Sequence, residues 1–173
     1  ADSGPPPLQR MDSQDDPAAP RALPRSGEVQ TWIKTEAIRV ATAAKMASLV
    51  SEPAVARMLS AYKIDRVSAC TYTCPNATAR ALLVEAASPA DAFGVFSMLA
   101  PHAGCTLRPD VSLRSVQQSG KTLIVTAWQG KTWLRFDCTL EDADAGAKAC
   151  ERLIDRTVFS LVAANPPLLM QAV

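Results

Sequence analysis

Apolar positions along this chain change spacing from helical to strand-like and back, and the changes mark out its elements. Val55, Met58, Leu59 and Tyr62 fall at i, i+3, i+4 and i+7, the single apolar face of a short amphipathic helix. Ser51 is placed to cap that helix, and Glu52-Pro53 suits its first turn. Ahead of it, Trp32 to Val40 reads as extended chain, and Thr42 as the N-cap of a shorter helix running through Val50. Ile64 to Cys74 and Ala79 to Ala87 are rich in β-favouring residues and are separated by Pro75-Asn76, which predicts an antiparallel hairpin.

Ser88-Pro89-Ala90-Asp91 opens a third helix, in which Phe93, Phe96, Met98 and Leu99 supply apolar bulk and Gly94 allows close approach to the sheet. Pro101 ends it. Ser112 to Gln118, Lys121 to Trp128 and Lys131 to Cys138 are strand-like runs joined by Ser119-Gly120 and Gln129-Gly130, the signature of a three-stranded meander. Asp142 and Asp144 then favour the start of a last helix, along which Ala147, Cys150, Ile154, Val158 and Leu161 repeat at three- and four-residue steps to Ala163. The predicted fold class is α+β: an antiparallel sheet of about five strands, hairpin plus meander, packed against helices that include a long C-terminal one.

Residues 1–28 differ in kind. They hold six of the thirteen prolines with almost no large apolar side chains, so they are expected to form a flexible or partner-wrapping leader. Residues 29–165 form the single domain on this reading, and 166–173 a short tail. The opening Ala-Asp-Ser-Gly reads like the product of signal-peptide removal, which points to an extracytoplasmic location, the periplasm or cell surface.

At 173 residues the chain suits one domain with a core of its own. Apolar residues at 48% and charged residues at 20% describe a globular chain, and a formal charge of +1 gives no field for capturing nucleic acid or anionic lipid. No apolar run reaches the roughly 20 residues of a membrane-spanning helix.

Five cysteines, Cys70, Cys74, Cys105, Cys138 and Cys150, fit an oxidising compartment and are candidate disulfide partners, with the connectivity open and one thiol left over. Cys70 and Cys74 lie roughly 13 Å apart along an extended strand, too far to pair with each other unless the chain bends. No Cys-x-x-Cys occurs, and His102, the one histidine, rules out a multi-histidine metal site; it reads as a helix-end or surface residue. There is no phosphate-cradling loop, dinucleotide fingerprint or Gly-x-Ser-x-Gly elbow, and Glu141, Asp142 and Asp144 lack the spacing of a calcium loop. Neither a catalytic residue, nor a metal, nor a cofactor is expected.

The segment Ser88 to Ser97, Ser-Pro-Ala-Asp-Ala-Phe-Gly-Val-Phe-Ser, together with Trp128-Gln129-Gly130-Lys131, resembles an uncharacterised bacterial family of exported domain-of-unknown-function proteins. The likeness runs from about Trp32 to Val162. Where that family has a glycine-rich turn between its first two helices, this chain has Leu49-Val50-Ser51-Glu52-Pro53-Ala54. The resemblance implies an extracytoplasmic α+β module and carries no activity with it.

Trp128 and Trp133 flank a turn beside Lys131 and Arg135, so Trp128, Trp133 and Arg135 are candidate contacts for a protein partner, with core packing the other reading of the two tryptophans. The expected function is a non-catalytic extracytoplasmic protein-interaction module, an accessory subunit of an envelope or membrane-associated complex. The alternative is a small-ligand-binding domain with a pocket between the sheet and the helix that begins at Pro89.

Overall fold

A computed structural model describes residues 12–99, 105–107 and 112–164. Two short strands, β1 (Ile33–Lys34) and β2 (Arg39–Thr42), precede a 3-10 helix at Ala43–Ser48 and helix α1 (Pro53–Ser60). Strands β3 (Ile64–Cys74) and β4 (Ala77–Ala86) lead into α2 (Pro89–Leu99), then β5 (Cys105–Leu107), β6 (Leu113–Ser119), β7 (Thr122–Gln129), β8 (Thr132–Leu140) and α3 (Ala143–Ala164). The strands make one antiparallel sheet in the order β1-β3-β4-β8-β7-β6-β5, with β2 also pairing β3. The α+β class and the long C-terminal helix are as read from the sequence; the strand count rises because the extended piece after Trp32 breaks into two strands and β5 adds at the far side.

Both faces of the sheet are covered, so there are two cores. On one face α1, α2 and the 3-10 helix bury Val55, Leu59, Val67, Val84, Ala92, Val95, Phe96 and Trp133. On the other, α3 buries Ala149, Cys150, Leu153, Ile154, Val158 and Leu161 against Tyr72, Ala79, Leu83, Leu134, Phe136 and Cys138. The strict alternation along β8 makes this possible, with Leu134, Phe136, Cys138 and Leu140 on the α3 side and Trp133, Arg135 and Asp137 on the other.

Local chemistry accounts for the boundaries. Ser88 Oγ accepts from Asp91 N at 3.1 Å and donates to the Asp91 carboxylate at 2.6 Å, so α2 begins in a reciprocal cap. Asp142 Oδ1 accepts from Ala145 N at 2.8 Å and caps α3. The β6–β7 and β7–β8 loops are Gly120-Lys121 and Gly130-Lys131, one residue later than expected, with each glycine at positive φ, +57° and +56°.

Three expectations change. The segment after Thr42 is 3-10 rather than α, and Thr42 makes no side-chain cap. Glu52, not Ser51, is the N-cap of α1, because the Ser51 hydroxyl accepts from Arg80 instead, at 2.9 Å. Gly94 admits the Tyr62 ring rather than the sheet, and Phe93 turns outward, 44% exposed, edge-on to Trp128 with ring centroids 5.0 Å apart.

Residues 12–28, read as part of a leader, lie on the α3 side of the domain. Ala22, Leu23 and Pro24 are buried, and the Tyr72 hydroxyl donates to Pro24 O at 2.8 Å. The Lys34 ammonium, wholly buried, contacts Asp12 at 2.6 Å and both oxygens of Asp15 at 2.7 and 2.6 Å. Asp15 also accepts from Ile38 N at 2.6 Å and faces Arg25 at 3.3 Å. The packed unit therefore takes in chain well before Glu28.

Helix α3 seats on the sheet at Gly146, where an added Cβ would stand 2.8 Å from the Asn76 carbonyl oxygen. Backbone cannot yield as a side-chain tip can. Gly146→Ala is expected to cost a net of about 1 kcal/mol by chemical denaturation, since overpacking of about 1–3 kcal/mol exceeds the helix-propensity gain of about 1 kcal/mol.

Candidate functional site

The proposed contact residues separate once the hairpin register is known. Trp128 and Trp133 are direct cross-strand partners, so both point to the α2 face. Trp133 is enclosed, 0% exposed, beneath α2, where it presents nothing to a partner; its indole N–H has no hydrogen-bond partner. Trp128 is half-buried at the margin, held by Nε1 donating to Gly130 O at 2.8 Å and by Phe93.

Arg135 is tied down as well. Its guanidinium meets Asp137 at 3.0 Å and Glu52 at 3.0 Å, and the neighbouring Arg80 donates to Leu49 O at 3.0 Å. The space among these groups is about 30 Å³, room for one water. This cluster locks α1 to the sheet and leaves no ligand volume. The interface with α2, where a ligand pocket was expected, is filled by Ala92, Val95, Phe96 and Trp133.

A larger concavity lies on the opposite face. Helix α3 crosses β4, β8 and β7, and the residues of β6 that point to the same side project past it. The result is an open groove of about 290 Å³ between β6 and α3. Leu123 and Val125 of β7 and Ile154 of α3 make its floor, and Val116, 52% exposed, its apolar wall. Arg114 sits at one end, 5% exposed and ion-paired to Asp155, with Lys148, Glu151 and Gln118 around the mouth. An apolar floor under a rim of charges of both signs suits an amphipathic occupant, with apolar contacts giving affinity and the rim giving orientation. Of these residues the sequence reading singled out only Ile154, as a core position of the last helix, and none as a contact. The available signal was Arg114, Val116 and Gln118 alternating on one side of a strand, with Val116 apolar where an uncovered strand should be polar.

The cysteines split into two environments. The Cys70 thiol donates to Glu36 O at 3.4 Å, and burial pushes its pKa up to about 12, so it stays protonated and unreactive. Cys138 of β8 and Cys150 of α3 are both buried in the core between α3 and the sheet, and the four described cysteines, Cys70, Cys74, Cys138 and Cys150, are free thiols in this structure. Interaction with Cys150, together with burial, raises the Cys138 pKa, while interaction with Cys138 lowers that of Cys150. Cys74, half-buried, stands close enough to act electrostatically on Cys138. The side chain of Cys105, and His102, lie outside the described residues. Among the described residues no group of three or more His, Cys, Asp or Glu side chains is placed to hold a metal ion, and no helix is long and apolar enough to cross a membrane.

No family model matches the chain, and no curated protein does, so the Ser88–Ser97 motif assigns no family. Among solved structures the chain is similar to the extracellular domain of PknH from Mycobacterium tuberculosis, with a TM-score of 0.47 and 9% identity over 89% of this chain and 97% of that one.

Proposed function

We propose that this is a non-catalytic extracytoplasmic protein-interaction module, and that its contact surface is the groove between β6 and α3. The observation that carries the reading is the groove itself: an exposed Val116 stands beside a floor made by the edges of Leu123, Val125 and Ile154, bordered by charges. Residues 12–28 of the leader, first expected to make the contacts, are committed to their own domain through the Asp15–Lys34 ion pair and Leu23, and so are poor candidates for wrapping a partner. Five cysteines support the extracytoplasmic setting.

Site-specific photocrosslinking tests the reading. With benzoylphenylalanine at Val116, and separately at Thr78, exposed on the opposite face, the full chain is irradiated in the cells that produce it. A discrete protein adduct at Val116 and none at Thr78 is the expected result. Equal labelling at both positions, or no adduct at Val116, would overturn it, and a small-mass adduct at Val116 would replace the protein partner with a small ligand in the same groove.

A further inference from the structure

We infer that Cys138 and Cys150 form a disulfide that staples α3 to β8 in the oxidised protein. The backbone brings them together independently of their chemistry. Gly146 lets α3 approach until an added Cβ would stand 3.1 Å from Leu140 Cβ, so position 146 of the helix lies over position 140 of the strand. One helical turn onward is Cys150, and two residues back along β8, on the same face, is Cys138. The Trp32 indole fixes that turn of the helix by donating to Ala149 O at 3.0 Å. A disulfide between layers needs Cα atoms within roughly 7 Å, closer than an ordinary helix-on-sheet contact, and the glycine at 146 provides that approach. Both side chains are buried in the same core between α3 and the sheet.

The other described thiols are placed differently. Cys70 is held by the Glu36 carbonyl, and Cys74 lies two strands away from β8, across Ala77 and Leu140. The bond forms by two exchange steps. One thiolate attacks a sulfur of an external disulfide, either glutathione disulfide or a thiol–disulfide oxidoreductase, and releases one reduced thiol. The second cysteine attacks the mixed disulfide and releases the other. Cys138 and Cys150 together give up two protons and two electrons, and the external disulfide becomes two thiols. Because both sulfurs are inaccessible in the docked state, the steps belong to folding, before α3 closes on the sheet.

The test is a peptide map of full-length protein refolded with glutathione disulfide and alkylated without reduction. Trypsin cuts after Lys148, between the two cysteines, so the staple joins peptide 136–148 to peptide 149–152. The expected result is that joined pair, lighter than the sum of its parts by two hydrogens, present also in Cys74→Ser and split by reductant. Reduction should lower the melting temperature of the wild type by about 6–12 °C, the scale for a disulfide closing a loop of this size. Peptides 136–148 and 149–152 recovered separately with alkylated cysteines, or 136–148 joined to 67–80 through Cys74, would overturn the assignment.

Discussion

Asp15→Ala is expected to lose about 3–5 kcal/mol of folding stability by urea denaturation, far more than an exposed carboxylate in a proline-rich segment would contribute. The Lys34 ammonium it faces has no exposed surface, so removing Asp15 strands a buried positive charge with Asp12 as its main remaining counterion. The same substitution leaves the Ile38 amide without its acceptor and Arg25 without the Asp15 counterion. A second variant separates charge from packing. Asp15→Ala combined with Lys34→Met should recover much of the loss, because an apolar side chain of similar length needs no counterion in that site. A loss below about 1 kcal/mol for Asp15→Ala would show that residues 12–28 do not support the domain through this ion pair.

Trp133→Ala is expected to cost about 3–5 kcal/mol, the scale for emptying a fully buried aromatic site. Trp128→Ala should cost about 1 kcal/mol, since that ring is half in solvent and loses chiefly one hydrogen bond and the edge contact with Phe93. Trp133→Phe should fall between, because the indole N–H it removes has no hydrogen-bond partner and only volume is given up. Equal, small effects at 128 and 133 in equilibrium unfolding would contradict the burial difference across this pair.

The elements that were legible in the sequence are those whose cause is local. The apolar step through Val55 and Leu59, the cap between Ser88 and Asp91, and the glycines after Ser119 and Gln129 each act within a few residues. Illegible features depend on polar burial or on how layers overlap. Residues 12–28 attach through a short buried run, Ala22 to Pro24, and through the hydrogen bonds and ion pair of Asp15, and Lys34 beside Ile33 looks in sequence like the solvent side of a strand. The two tryptophans look alike in composition, and only the register that pairs them, with α2 lying over one and not the other, gives them different fates. The groove is a property of where α3 crosses the sheet, which no single segment encodes.

The two short strands at the start of the sheet have a further consequence. β2 pairs residues 66–69 of β3 and β1 pairs residues 72–73, so the chain's own N-terminal part occupies most of that outer edge. An unprotected edge invites a second copy to add a strand and propagate. Here that side is closed by the same segment that Lys34 anchors. Loosening the anchor would therefore turn a folding defect into a route to aggregation, with β3 as the seeding edge.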